Sequence, residues 1–284
     1  MDGIIIINKP KNCTSHDIVR KAKKAFNEKV GHTGTLDPNA TGVLPLLIGK
    51  GTQISKYIMN HDKIYEAILQ LGEKTDTADV EGNCIETKEV LEQSLKIEKV
   101  KEVLNSFIGR QEQIPPIYSA IKVNGKKLYD YARKGEAVEI QPRQIEIYNM
   151  ELIKIDVQNK IVEFRVHCSK GTYIRTLCEN IAEKLGTVGY MKELNRTKVG
   201  EFSIDDSITI EQLENGNYNN FITVEDYFKN YENINLNEKK LQLFLNGVQL
   251  TCNLEDGIYR IYFDNEFIGI GTIKNNLLKR DIIL

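Results

Sequence analysis

The chain has 284 residues, of which 41% are hydrophobic and 27% are charged, a composition that is typical of a globular protein and excludes extensive disorder. No apolar run approaches the length that spans a bilayer, and the five cysteines form no Cys-x-x-Cys pair, which argues against a zinc site or a disulfide framework. The formal net charge of −2 argues against indiscriminate binding of polyanions. We expect a cytoplasmic protein with two domains.

Charge is distributed unevenly along the chain. Residues 1–60 carry nine Lys and Arg against four Asp and Glu, whereas residues 201–240 carry three Lys against nine Asp and Glu. This asymmetry permits a focused binding site for nucleic acid on a protein of nearly neutral total charge.

The N-terminal segment predicts a strand that is followed by a helix. The β-branched run from Ile4 to Ile7 favours a buried strand, and Pro10 ends it. Thr14 and Asp17 have the spacing of a helix capping box, and apolar residues then recur at helical spacing.

The segment from Gly31 to Gly51 has no regular period because glycines and prolines interrupt it, and we expect a structured loop. Glycines permit close approach of the backbone to a ligand, and Pro38 restricts the backbone around Asp37, so this loop can hold a carboxylate rigidly. On the residue pattern alone, an aspartate before proline is more often a turn residue than a catalytic one.

The middle of the chain predicts a strand from Tyr65 to Leu71 and a helix from Ile97 to Phe107. Residues 115–143 are then rich in basic side chains, with three tyrosines between them. The basic residues are Lys122, Lys126, Lys127, Arg133, Lys134 and Arg143. Such a segment is either an RNA-contacting surface or a solvated loop whose tyrosines cover the core.

The C-terminal half predicts further strands and helices. The predicted elements are a hairpin of strands 145–155 and 161–168, a helix at 175–185, a short helix near 241–245, and strands at 258–263 and 267–273. A boundary near residues 231–235 separates a small β-rich module, which we expect to be docked on the first domain because of its size.

Five segments resemble the conserved blocks of one enzyme family, in that family's order. The string GHTGTLDPNATGVLPLLIGKGT closely resembles the catalytic motif of the TruB family of tRNA pseudouridine-55 synthases. The other four similar blocks are IIINKPKNCTSHDIV, KIYEAILQLGEKTDTAD, PPIYSAIKVNGKKLYDYAR and CSKGTYIRTL. The tail, with NGVQL and IGIGTIKNN, is similar to the small RNA-binding module called PUA.

The resemblance implies an α+β protein with the pseudouridine synthase fold, in which helices flank a mixed, largely antiparallel central sheet. It implies a catalytic domain at residues 1–232, an RNA-gripping insertion at about 115–143, and a PUA-like module at 233–284. The implied reaction converts uridine to pseudouridine at position 55 in the T-arm loop of transfer RNA. No cofactor, metal or obligate protein partner is expected.

The resemblance also assigns residue roles. Asp37 corresponds to the nucleophile, Tyr65 to the tyrosine that stacks on the target base, and Arg175 to the arginine that pairs with the aspartate. The residues assigned to substrate binding are His32, Tyr173, Leu194, Lys9, Lys122 and Arg143, with His32 expected to insert into the RNA loop. Asn12 and Asn195 depart from the glycine and arginine that are common at these positions.

These residue types suit the reaction, which breaks the bond between uracil N1 and ribose C1′ and rejoins the base through C5. An ionised carboxylate can attack carbon or stabilise a cationic sugar, so attack at C1′, attack at C6 and a glycal route all remain open. Burial would neutralise that carboxylate unless a permanent cation such as Arg175 lies beside it. Tyr65 could stack, transfer a proton, or do both.

Two other functions remain open at this stage. The basic insertion and the PUA-like tail would also serve a non-catalytic RNA-binding or tRNA-folding protein. A pseudouridine synthase that acts on another RNA would carry the same motifs. A glycoside hydrolase would need a second positioned carboxylate, and the sequence indicates no such partner for Asp37.

Overall fold

Two β-sheets organise the chain, which the computed structural model describes from residue 1 to residue 284. The strands, in chain order, are β1 (Gly3–Lys9), β2 (Val30–His32), β3 (Thr41–Ile48), β4 (Lys63–Leu71), β5 (Glu73–Thr75), β6 (Cys84–Thr87), β7 (Gly109–Gln113), β8 (Lys122–Val123), β9 (Lys126–Lys127), β10 (Arg143–Asp156), β11 (Ile161–Cys168), β12 (Gly189–Val199), β13 (Phe202–Ser203), β14 (Ile222–Thr223), β15 (Asn233–Asn235), β16 (Leu250–Thr251), β17 (Gly257–Phe263), β18 (Glu266–Lys274) and β19 (Leu277–Ile283). The helices are α1 (Ser15–Phe26), α2 (Ser55–Ile58), α3 (Ile97–Asn105), α4 (Leu128–Lys134), α5 (Ile174–Lys184), α6 (Ile210–Glu214), α7 (Val224–Tyr227) and α8 (Glu238–Leu245).

The larger sheet has ten strands and forms the centre of the molecule. Its main path runs β14-β1-β3-β12-β4-β11-β10-β7, with β2 added beside β3 and β13 beside β12. Neighbouring strands are antiparallel except for β3 and β12, which are parallel. The predicted α+β class with a mixed, largely antiparallel sheet is therefore confirmed.

The two faces of this sheet are covered differently. Helices α1, α3, α5 and α6 contribute to the core on one face, where Ile5 and Ile7 of β1 point. Ile4 and Ile6 point to the opposite face and are equally buried, which explains why β1 is apolar without alternation. Strand β4 alternates because only its helix-covered face is fully buried, while its other face carries Glu66, which pairs with Arg165 at 2.8 Å.

Several local predictions are confirmed. Thr14 and Asp17 form the capping box at the start of α1. The hairpin predicted across residues 158–159 is formed by β10 and β11, and the helix predicted at 175–185 is α5. Helix α8 and strands β17 and β18 correspond to the helix predicted near 241–245 and the strands predicted at 258–263 and 267–273.

The prediction of a continuous loop from Gly31 to Gly51 is wrong. Strand β3 occupies most of this segment, β2 pairs with it, and residues 33–40 form the connection between them. Gly42 packs against the backbone of Arg196 in β12, where a Cβ would come within 2.2 Å of the Arg196 carbonyl oxygen. Pro45 lies between the stretch of β3 that pairs with β12 and the stretch that pairs with β2, where a missing N–H is tolerated.

The smaller sheet has the order β15-β17-β18-β19-β16 and packs against α8 around its own apolar cluster, which includes Phe244 and Ile261. Its Ile270 and Ile282 point away from that cluster and pack with Ile4 and Phe228 on the face of the larger sheet opposite to α1, α3, α5 and α6. This sheet is therefore docked through a shared core. None of the helices is long and apolar enough to cross a membrane.

Candidate active site

The connection between β2 and β3, residues 33–40, carries Asp37 and is held in place by the N-terminal end of α1. The Ser15 hydroxyl accepts a hydrogen bond from the Leu36 N–H (2.9 Å) and donates one to the Leu36 carbonyl (3.1 Å). Ser15 is buried in the first turn of α1, so the capped end of that helix fixes the residue before Asp37. This geometry supplies the rigid support that a reactive carboxylate needs.

Lys9, which was predicted to bind substrate, lies on the other side of the Asp37 loop. Its ammonium group is fully buried and donates to the carbonyls of Pro10 and Cys13 (2.8 Å each) and of Pro38 (3.0 Å). An ammonium group has three donors, so none remains for substrate. Lys9 does not line the pocket that contains Asp37, and its hydrogen bond to Pro38 supports the loop next to Asp37.

Asp37 lies against the guanidinium group of Arg175 in the first turn of α5. The distance from Arg175 Nε to Asp37 Oδ2 is 3.2 Å. The same guanidinium donates to the carbonyls of Tyr118 (2.9 Å) and Thr77 (3.3 Å), and it lies 3.5 Å from an oxygen of Asp79. Two other segments of the chain, at residues 77–79 and at Tyr118, therefore hold Arg175 in its position beside Asp37.

The electrostatic balance at Asp37 depends on these neighbours. Burial raises the pKa of the Asp37 carboxyl, and the charge of Asp79 raises it further, while Arg175 and Lys9 oppose the shift. Asp79 is buried, and its carboxylate also accepts a hydrogen bond from the Thr77 hydroxyl at 2.6 Å. These contacts suit a residue that holds Arg175 in position. The sequence prediction did not include Asp79, although it is the last residue of the segment KIYEAILQLGEKTDTAD.

Tyr65 lies on β4 and faces the pocket from the covered side of the sheet. Its cross-strand partners are Val166 of β11 and Arg196 of β12, and the prediction also omitted Arg196. Arg196 is buried and donates to the carbonyls of Val43 (2.8 Å) and Gly34 (3.0 Å). Burial raises the pKa of the Tyr65 phenol and Arg196 lowers it, so the phenol keeps its proton at neutral pH while the adjoining cation favours its release.

A pocket of about 470 Å³ opens above these residues, within the range of small-ligand sites. Five of the nine predicted site residues line it, namely Asp37, Tyr65, Tyr173, Arg175 and Leu194. Lys63 lines it as well, and burial lowers the pKa of its ammonium group to about 8. Apart from its place two residues before Tyr65, no sequence pattern pointed to Lys63.

The other predicted contacts lie outside this pocket. His32 is half-buried on β2, and its Nδ1 is 3.4 Å from the Gly34 N–H; burial lowers the pKa of its imidazole. Lys122 and Arg143 are exposed and line a separate depression on the insertion. The structure therefore separates a buried reactive centre from an exposed basic surface.

The insertion, residues 115–143, consists of the β8–β9 hairpin and α4, and it also closes one wall of the pocket through Tyr118, Ser119 and Tyr129. Lys127 and Arg133 lie 5.2 and 5.4 Å from the centre of the Tyr129 ring. Basic groups on aromatic faces beside a pocket suit a surface that meets stacked bases and phosphates. The alternative of tyrosines that only cover the core fits less well, because Tyr129 lies in none of the apolar clusters.

The two departures from the family pattern are accommodated locally. Asn12 has a left-handed backbone with φ of 62°, which asparagine tolerates better than most residues. Asn195 accepts a hydrogen bond from the Thr41 hydroxyl at 3.2 Å, where β12 meets β3.

Comparison with known proteins agrees with this arrangement. Residues 21–174 match the family model described as TruB family pseudouridylate synthase (N terminal domain), and residues 175–234 match tRNA pseudouridylate synthase B C-terminal domain. The chain belongs to the TruB family. The two TruB models meet at the start of α5, so the join between them falls within one continuous helix, beside Arg175.

Curated TruB relatives match over nearly the whole chain. The tRNA pseudouridine synthase B of Clostridium tetani is 46% identical over 95% of this chain and 95% of its own length. That of Caldanaerobacter subterraneus is 43% identical over 98% of both chains. That of Aquifex aeolicus is 39% identical, again over 98% of both.

Solved structures share the fold at lower identity. A chain from the crystal structure of a Cbf5-Nop10-Gar1 complex superposes with a TM-score of 0.69 at 25% identity, covering 95% of this chain and 78% of that one. A chain from an H/ACA RNP bound to a substrate RNA containing 2′-deoxyuridine gives the same TM-score at 22% identity, covering 99% and 85%. The TruB chain therefore has the pseudouridine synthase fold.

Proposed function

We propose that this protein isomerises uridine to pseudouridine at position 55 in the T-arm loop of transfer RNA. The observation that carries the proposal is the buried pair of Asp37 and Arg175, 3.2 Å apart, in a pocket that Tyr65 also lines. The full-length relatives are named tRNA pseudouridine synthase B, which supports transfer RNA as the substrate.

A uridine in a folded loop must leave its stack before its glycosidic bond is accessible, at a cost of a few kcal/mol. The aromatic face of Tyr65 offsets part of this cost, because stacking of a base on an aromatic side chain contributes about 1–3 kcal/mol. The pocket of about 470 Å³ accommodates one flipped nucleotide between the Asp37 loop and the insertion.

In the reaction, Asp37 acts as the anion, either by attack on carbon or by stabilising the sugar while the base is detached. Arg175 opposes the rise in the Asp37 pKa that burial causes, and its guanidinium is held in place by hydrogen bonds to two backbone carbonyls. The phenol of Tyr65 handles a proton, assisted by the positive charge of Arg196. Tyr173 and Leu194 shape the remaining wall.

Binding of the rest of the RNA is assigned to the exposed cations. Lys122 and Arg143 of the insertion would meet phosphates, together with the basic residues Arg20, Lys21, Lys23 and Lys24 of α1. His32, beside the Asp37 loop, would contact the T-arm loop of the RNA. Residues 1–232 are then the catalytic domain, and residues 233–284 are a PUA-like module that extends the RNA surface. Because the substrate is transfer RNA, we place the reaction in the cytoplasm, without an obligate protein partner.

The test uses the purified full-length chain alone with an unmodified tRNA transcript, followed by chemical mapping of pseudouridine. We expect one modified position, at 55, and no modification of a matched transcript that carries cytidine there. A non-catalytic RNA-binding protein would bind both transcripts and modify neither. Modification only of another RNA, or only after addition of a guide RNA, would contradict the proposed substrate.

A further inference from the structure

Two buried hydroxyl groups in the pocket have no hydrogen-bond partner. They are Thr33 Oγ1, on a residue that is 2% exposed, and Ser119 Oγ, on a residue that is 6% exposed. Both residues line the pocket that contains Asp37. The third buried side-chain atom without a partner, His61 Nδ1, belongs to a residue outside this pocket, so such atoms are concentrated at the site.

Buried hydroxyls elsewhere in the chain are satisfied. Ser15 both donates to and accepts from Leu36, and Thr187 donates to the Lys88 carbonyl at 3.2 Å. An unpaired buried donor or acceptor costs about 1–3 kcal/mol, and replacing it with an apolar group of the same shape is neutral or stabilising. A hydroxyl that is kept unpaired in a ligand pocket therefore indicates a partner that arrives with the ligand.

The backbone holds both hydroxyls in place from different elements. The Thr33 N–H donates to the Pro45 carbonyl at 3.3 Å, which ties the start of the Asp37 loop to β3. The Ser119 N–H donates to the Ile117 carbonyl at 3.0 Å, and its carbonyl accepts from the Tyr129 N–H at 3.1 Å. The neighbouring Tyr118 carbonyl is bound to Arg175 at 2.9 Å, so Ser119 has a fixed position relative to the reactive pair.

We propose that the hydroxyls of Thr33 and Ser119 form hydrogen bonds with the uridine nucleotide that enters the pocket, and that they help to select and orient it. This proposal rests on the proposed function and adds two substrate-contacting residues to it. A hydroxyl can donate and accept, so its partner is either the polar edge of uracil or the ribose hydroxyl. Both sources belong to the same nucleotide.

The test compares activity and stability in Thr33→Val and Ser119→Ala, made in the full chain. With the tRNA transcript we expect kcat/KM to fall about tenfold in each variant, equivalent to about 1.4 kcal/mol. The melting temperature of the free protein should stay the same or rise, because each variant removes an unpaired buried group. A residue with a merely structural role would show the opposite sign in stability.

Two matched variants calibrate the measurement. Thr187→Val removes a satisfied hydroxyl that does not line the pocket, and it should lower the melting temperature while kcat/KM stays at the wild-type value. Ser15→Ala removes a satisfied buried serine and should lower the melting temperature, unlike Ser119→Ala.

The source of the partner is distinguished by binding affinity for a T-arm stem-loop with uridine or 2′-deoxyuridine at the target position. Loss of the variant's effect on the deoxy RNA identifies the ribose hydroxyl, and an equal effect on both RNAs identifies the base. Wild-type kcat/KM and affinity in both variants, or losses that only follow a lower melting temperature, would overturn the inference alone. A wild-type protein that makes no pseudouridine would overturn the proposed function as well.

Discussion

Around the pocket, Lys9, Arg175 and Arg196 are buried, and their donors are engaged by backbone carbonyls and carboxylates. The cations of the insertion are exposed, except for Lys127, which is half-buried. Within 4.0 Å of an insertion cation there is one acidic partner, Glu136 beside Lys126. The pocket is therefore organised before RNA arrives, while the insertion keeps its charges available for phosphates. This contrast predicts that changes in the pocket alter the rate and that changes in the insertion alter the affinity.

The largest effect is expected for Asp37→Asn, which keeps the shape of the side chain and removes its charge. Turnover should fall below detection, by about 10⁴-fold or more, because no other carboxylate lines the pocket. Affinity for tRNA should stay within a few-fold of wild type, as measured by filter binding. Substantial residual turnover would remove Asp37 from its assigned role.

The same variant should not be less stable than the wild type at neutral pH. The pKa of Asp37 is raised in the folded state, so the folded protein binds a proton there more tightly than the unfolded chain does. At a pH above the ordinary carboxyl pKa, the buried charged carboxylate therefore lowers the stability of the folded state. Replacing the carboxylate with a neutral amide removes that penalty. A clear drop in melting temperature at pH 7 would show that the ion pair with Arg175 outweighs burial.

Tyr65→Phe should have the next largest effect, since it keeps the stacking face and deletes the hydroxyl beside Arg196. We expect the single-turnover rate to fall by about 10²-fold, the usual contribution of a positioned acid or base, with affinity nearly unchanged. Tyr65→Ala should additionally weaken RNA binding. Wild-type turnover in the Phe variant would restrict Tyr65 to stacking.

Neutralising the insertion should change affinity and its salt dependence without changing the single-turnover rate at saturating enzyme. Replacing Lys122, Lys127 and Arg143 with Gln should lower the slope of log K against log salt by about one unit for each residue that contacts a phosphate. A matched triple replacement of Lys101, Lys154 and Lys160, which are exposed and lie outside both the insertion and the C-terminal module, serves as the control. An equal slope in both triple variants would place the RNA elsewhere.

The smallest effect is a shift in pH dependence for Asp79→Asn. Because the charge of Asp79 raises the pKa of Asp37, its removal should lower that pKa and move the acidic limb of kcat/KM to lower pH. The activity plateau near neutrality should change only a few-fold. A shift of the limb to higher pH would mean that Asp79 acts mainly by orienting Arg175.

The sequence by itself determined the local elements and the motif residues. The Thr14–Asp17 capping box, the β10–β11 hairpin and the C-terminal strands follow from patterns within a few residues, so they could be predicted without knowledge of the fold. The motif strings also identified Asp37, Tyr65 and Arg175, which the structure brings to one pocket.

Only the tertiary structure decided which groups surround these residues. Arg196 becomes the partner of Tyr65 through the pairing of β4 with β12, and Asp79 reaches Arg175 through the packing of α5. The Asp37 loop buries Lys9, which in turn donates a hydrogen bond to that loop. The position of Lys9 at the end of an apolar strand does not predict this burial. Such contacts join residues far apart in the chain, and burial and hydrogen bonding at these sites exist only once the sheet has assembled.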